Sequence, residues 1–131
     1  MASIFTKIIN GEIPAHIVAE NDKFFAFLDI SPLQKGHTLV IPKKEVDYIF
    51  DVEDELLGEM MIFAKQVARK IKIVFPSFNR IGVTVIGLEV PHAHIHLVPI
   101  NQMADMNFSN EKLSLSQDEL AKIAFDIRAA K

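Results

Sequence analysis

The sequence predicts an α+β protein built on an antiparallel sheet. Three observations carry this reading. Three short strand signals follow one another between residues 17 and 41 with no helix among them; one long run of helical periodicity comes next; two more strand signals and a capped terminal helix close the chain.

The elements follow in order. Asn10-Gly11 is a turn signal, after which Ile17-Val18-Ala19-Glu20 reads as a strand that stops at the turn Asn21-Asp22. Phe24 to Asp29 is a second strand, and Asp29-Ile30-Ser31-Pro32 with Lys35-Gly36 marks the loop to a third, His37 to Ile41, closed by Pro42. Short connections of this kind give an antiparallel meander. Asp51 is the expected N-cap of a long helix: Glu53, Asp54 and Glu55 fill its first turn, and Leu56, Met60, Phe63, Val67, Ile71 and Val74 recur at helical spacing until Pro76 stops it. Leu57, Met61, Ala64 and Ala68 widen the apolar face, enough for a core and a subunit contact together, although core alone is the simpler reading. Two strands follow, Asn79 to Ile86 and a histidine-rich run through Ile100, divided near Gly87. Met103 to Ser114 is polar and irregular and reads as an ordered loop or flap. Ser116-Gln117-Asp118-Glu119 is a capping box that starts a helix from Gln117 to Ala130.

Composition narrows the function classes. A chain of 131 residues, 50% hydrophobic and 24% charged, is expected to form a single globular domain spanning 1–131. No apolar run approaches the roughly 20 residues of a membrane helix, and the first seven residues lack a secretory apolar region, so a soluble, cytoplasmic protein with no membrane partner is expected. Cysteine is absent, which removes disulfides, thiolate nucleophiles and cysteine zinc sites. A net charge of −3 with scattered lysines offers no basic stripe for polymeric nucleic acid.

The chemistry is concentrated in Pro91-His92-Ala93-His94-Ile95-His96-Leu97-Val98, which holds three of the five histidines at alternate positions. On a strand this spacing lines His92, His94 and His96 on one face, roughly 6–7 Å apart, with Ala93, Ile95 and Leu97 on the other. Three imidazoles on one surface suit phosphorus chemistry through a histidine nucleophile, or a metal held by two or three rings. Spacing alone leaves both open. On the neighbouring strand Phe25, Phe27 and Asp29 share a face, an aromatic wall ending in a carboxylate; Asp29 could equally form the turn before Ser31-Pro32, and Phe27 could be ordinary core. His16 reads as a surface residue without a role.

With these residues in place, the chain resembles the histidine-triad (HIT) family, of the Hint and bacterial HIT-hydrolase type. The resemblance runs over nearly the whole length, through Ile4-Phe5-Thr6-Lys7-Ile8-Ile9 with Gly11-Glu12-Ile13-Pro14, Phe27-Leu28-Asp29-Ile30-Ser31-Pro32, His37-Thr38-Leu39-Val40-Ile41-Pro42-Lys43-Lys44, and the triad itself. It implies a five-stranded antiparallel sheet, a homodimer whose sheets join, and attack on the α-phosphorus of a purine nucleotide derivative. His94 would be the nucleophile and form a nucleotidyl-histidine that water then hydrolyses. The His92 carbonyl would hold the other ring nitrogen of His94, and His96 and His37 would bond the nonbridging phosphate oxygens. Asp29 would take the ribose hydroxyls. Phe27, Ile4, Phe5, Ile8 and Ile30 would wall the base. No cofactor is implied.

The departures from the family pattern are specific. Zinc-bearing relatives use two cysteines near the N-terminus, a histidine after the Pro-Lys-Lys segment and the first triad histidine; here the first three positions read Ser3, Thr6 and Glu45, which cannot make a thiolate zinc site, so no metal is expected. Where relatives often carry neutral donors before the triad, this chain has Gly87-Leu88-Glu89. Glu89 is therefore a candidate determinant of leaving-group preference. The reading is an enzyme cleaving nucleoside phosphoramidates or dinucleoside polyphosphates, with a weakly catalytic nucleotide-binding module or a histidine-liganded metalloenzyme as its rivals.

Overall fold

The computed structural model describes residues 2–131. Its strands are β1 (Ile17–Glu20), β2 (Phe24–Leu28), β3 (Thr38–Pro42), β4 (Arg80–Thr84) and β5 (Ile95–Ile100), and its helices α1 (Ile4–Ile9), α2 (Asp54–Val74) and α3 (Gln117–Ala129). The strands form one sheet in the order β1-β2-β3-β5-β4, antiparallel at every pairing. The α+β class and the five-stranded antiparallel sheet are as the sequence predicts, and β1-β2-β3 is the expected meander.

Alternation along the strands divides the apolar residues between two faces. Phe24, Ala26, Leu28, Val40, Ile95 and Leu97 point to one side and pack with Met60, Phe63, Val67 and Ile71 of α2 and Leu120, Ile123 and Ile127 of α3. This is the main core. On the other side Phe25, Phe27, Leu39 and Ile41 form a smaller cluster with Phe5 of α1. Both faces of β2 and β3 are thus covered, and the second face carries the histidines.

Besides one-residue shifts, such as Asp29 and His37 falling just outside β2 and β3, four features differ from the expectation. First, α1 was not anticipated: six residues are too few for a periodic signal, but Ser3 caps it by accepting the Thr6 N–H at 3.0 Å. Second, α2 is capped two residues later than Asp51, at Glu53, because residues 49–51 form a separate 3-10 turn. Third, β4 ends at Thr84 and not at Ile86. Fourth, β5 begins only at Ile95, so His92 and His94 lie before the strand and not on it. The ladder between β3 and β5 ends at the pair Val40–Ile95, and beyond it the histidine segment bonds elsewhere, the Ala93 N–H donating to the Val46 carbonyl at 2.7 Å. On α2, Met61, Ile62 and Ile73 remain exposed. The segment from Met103 to Ser114 contains a 3-10 turn at residues 103–106 and is tied back by the Leu113 N–H to the Pro32 carbonyl at 2.8 Å.

Candidate active site

The site lies on the sheet face opposite α2 and α3. Phe27, Leu39 and His96 are paired neighbours across β2, β3 and β5, so their side chains form one row on that face. The loop between β2 and β3 returns His37 beside this row through Gly36, whose φ of +90° and whose closeness to Phe75, 2.8 Å from where a Cβ would stand, admit only glycine. A cavity of about 340 Å3 opens here, lined by Phe5, Asp29, Leu39, His94, His96 and Phe108 together with residues 86–90.

Hydrogen bonds determine which nitrogen of each ring carries its proton. The Leu33 N–H donates to Nδ1 of His37 at 3.0 Å, so the proton of neutral His37 is on Nε2. That N–H donates to Nδ1 of His96 at 3.0 Å, which leaves the His96 proton on Nε2. Nδ1–H of His94 donates to the His92 carbonyl at 2.7 Å, leaving Nε2 of neutral His94 as a bare lone pair. The rings of His94 and His96 are 4.9 Å apart, closer than regular strand spacing. The cavity therefore receives one nucleophilic nitrogen and one N–H donor side by side. Burial lowers the His37 pKa to about 3 and, with His94 beside it, the His96 pKa to about 4, so both rings are neutral near pH 7.

Not every residue singled out from sequence reaches the cavity. His94, His96, Asp29, Phe5 and Glu89 line it. His92 and His37 are buried and do not line it; the Nε2–H of His37 is bonded to His96, whose tautomer it sets. Phe27 is buried beneath the site with its ring 5.4 Å from Phe5, and Ile8 packs on the same cluster. Ile4 and Ile30 are exposed and lie outside the cavity lining. Asp29 forms the turn, Oδ1 accepting the Ser31 N–H at 2.8 Å, and the residue also lines the cavity. Burial raises its pKa, opposed by the Ser31 bond. Sequence reading missed Phe108, whose ring lies 4.8 Å from His96 and covers it from the irregular segment. An isolated aromatic in a polar stretch was the signal. The Nε2–H of His16 donates to Oε1 of Gln117 at 2.8 Å, and neither residue lines the cavity.

Neither possible metal position fits. Among the described residues Asp29, His37 and His96 bring ligand atoms within 4.8 Å of one another. A cation on Nε2 of His37 would require an imidazolate, because Nδ1 already accepts from Leu33. At the position where relatives hold zinc, Ser3, Thr6 and Glu45 meet Nδ1 of His92, but they bond one another: Ser3 Oγ is 2.8 Å from His92 Nδ1, and Thr6 Oγ1 donates to Glu45 at 2.6 Å. Neutral hydroxyls so occupied are not zinc ligands.

A sheet face that brings a ring nitrogen with a free lone pair, an oriented ring N–H donor and a carboxylate to one cleft defines a class: α+β proteins whose site is built on histidines. The comparisons identify the family. A HIT domain model matches residues 10–103. An uncharacterized HIT-like protein of Methanocaldococcus jannaschii is 42% identical over 102 residues, covering 73% of this chain and 77% of that one. The adenosine 5'-monophosphoramidase of Saccharomyces cerevisiae is 39% identical over 98 residues, 75% of this chain and 62% of its own length. The crystal structure of a HIT-like protein from Bartonella henselae superposes with a TM-score of 0.84 at 33% identity, covering 98% of this chain and 96% of that one. The chain belongs to the HIT family.

Proposed function

We propose that this protein is a nucleotidyl-transferring hydrolase that acts on purine nucleoside phosphoramidates through a covalent His94 intermediate. The observation that carries the reading is the pairing of a proton-free Nε2 on His94 with a proton-bearing Nε2 on His96 at one cavity. Nε2 of His94 attacks the α-phosphorus, the bond from phosphorus to the amine breaks, and the departing amine nitrogen takes a proton from solvent water. Water then attacks the adduct, releases the nucleoside monophosphate and restores His94. His96 donates to a nonbridging oxygen, where negative charge is largest in the transition state. The yeast relative's phosphoramidase activity supports the choice of leaving group. Single-turnover labelling with an adenosine phosphoramidate carrying a radioactive α-phosphorus tests the proposal. Label on His94 is expected; turnover without any His94 adduct, or neither across amine, sulfate and polyphosphate leaving groups, would refute it.

Asp29 is the proposed ribose ligand, since a charged carboxylate accepts two hydroxyls better than a neutral amide. Asp29→Asn is expected to weaken AMP binding by about 1–2 kcal/mol and to leave the 2′,3′-dideoxy analogue nearly unaffected. An equal loss for both ligands would assign Asp29 to the turn alone.

Glu89 lines the cavity where a leaving group would depart, and its charge opposes a polyphosphate while tolerating an amine. Glu89→Gln is therefore expected to raise kcat/KM for diadenosine polyphosphates relative to phosphoramidates by about tenfold, as about 1–2 kcal/mol of repulsion at a few ångströms would give. The check is the ratio of the two specificity constants. No change in that ratio excludes Glu89 from selectivity.

A homodimer joined along β4 completes the reading: β4 is an edge of the sheet, and Val83, Val85 and Ile86 on and beside it are exposed. Light scattering on the purified protein measures the assembly directly, and a monomer at micromolar concentration would rule this out.

A further inference from the structure

His92 poses a question that the reaction does not answer. Its backbone carbonyl orients His94, which any residue could do, yet its ring is fully buried and bonded at both nitrogens. Nε2 lies 2.8 Å from the Pro42 carbonyl, which can only accept, so the ring proton is on Nε2 and Nδ1 needs a donor. Ser3 is that donor at 2.8 Å. Its single hydroxyl proton is spent on His92, and its oxygen accepts the Thr6 N–H at 3.0 Å. Thr6 in turn gives its hydroxyl proton to Oε1 of Glu45 at 2.6 Å, and the same oxygen accepts the Ser3 backbone N–H at 2.6 Å. Every proton in the set thus has one direction. The Ser3 and Thr6 donors hold the Glu45 pKa down to about 2, so the carboxylate anchoring the set stays charged. Three distant parts of the chain, the start of α1, the end of β3 and the histidine segment, meet in this bracket.

We propose, resting on the function above, that Glu45, Ser3 and Thr6 are positioning residues for nucleotidyl transfer: from outside the cavity they clamp the His92 ring and thereby set where its carbonyl presents the His94 nucleophile. None of the three lines the cavity, so substrate binding does not pass through them. The segment they hold precedes β5, where no sheet ladder fixes it. Displacement of a nucleophile by a fraction of an ångström acts on the chemical step and leaves affinity alone.

The test compares variants that separate clamping from capping. Ser3→Gly keeps an acceptable helix cap but has no hydroxyl, and Glu45→Ala removes the anchor. Each is expected to lower kcat by about tenfold with KM unchanged. Ser3→Thr, which restores both cap and hydroxyl, and Glu45→Gln, which restores the accepting oxygen, are expected to recover most of the rate. Histidine 15N spectra give a readout independent of turnover: in Ser3→Gly the His92 Nδ1 resonance should move and the His94 Nδ1–H should exchange faster. Unchanged kcat in Ser3→Gly and Glu45→Ala, or a loss that Ser3→Thr fails to rescue, overturns the inference. If the unmodified protein neither turns over nor labels, the proposed function fails separately, and unchanged His92 and His94 resonances in Ser3→Gly then overturn the clamp by themselves.

Discussion

Replacing His94 with alanine is expected to lower turnover on the order of a thousandfold or more while leaving the fold and nucleotide binding in place. Among the described residues lining the cavity, this ring supplies the one nitrogen with an oriented free lone pair, its Nδ1–H being held by the His92 carbonyl. Neither neighbour can substitute. Nε2 of His96 carries a proton because Nδ1 accepts from His37, and His92 is buried away from the cavity with both nitrogens engaged. Loss of the side chain removes edge contacts with Phe5 and His96, a packing loss of about 1–2 kcal/mol that a domain of this size tolerates. Affinity for AMP, measured by calorimetry, should persist, since Asp29 and Phe5 are untouched. His96→Ala is a contrasting case: turnover falls, but the His94 adduct can still form. Retention of activity within tenfold in His94→Ala would remove His94 from the mechanism.

Acidification from pH 7 to 5 should destabilise the protein well before its carboxylates titrate. His37 and His96 have ordinary values near 6.5 in the unfolded chain but about 3 and about 4 in the native protein, and burial lowers His92 as well. Below pH 6.5 the unfolded state therefore binds protons that the native state refuses. Stability rises with pH across that interval, is fully present above pH 6.5, and is lost as pH falls toward the native values. Each such group contributes up to about 1.4 kcal/mol per pH unit, so on the order of 3 kcal/mol should be gone at pH 5, a sizeable part of a typical 5–15. Glu45 acts in a separate window. Glu45, lowered to about 2, loses its contribution only below its ordinary 4.5, and Asp29, whose pKa is raised, has the opposite sign. Urea midpoints between pH 7 and 5 measure this loss. A flat profile in that range would mean that the rings are not buried neutral in solution.

Much of the molecule was legible because the signals are local. The capping box at Ser116 and Glu119 predicted the start of α3, the period of α2 predicted the buried set Met60, Phe63, Val67 and Ile71, and alternation placed Phe25 and Phe27 together. Each of these depends on residues within one or two turns of each other. The short helix α1 escaped because six residues carry too little periodicity, and its decisive contact, Phe5 against His92 and His94, spans the chain. Phe108 escaped for the same reason.

By itself the sequence determined the fold class, the family resemblance and the identity of the histidines that gather at the cavity, since composition, period and motif order are properties of the chain. Only the tertiary structure decided where each ring's proton sits. Whether an imidazole attacks, donates or merely clamps depends on which nitrogen keeps the proton, and that is settled by a partner brought from elsewhere in the chain: the Leu33 amide and His96 for His37, Pro42 and Ser3 for His92. Ser3 is 89 positions from the ring it serves. No local pattern encodes such a bond, because the donor and the acceptor meet only when α1, β3 and the segment before β5 have packed together.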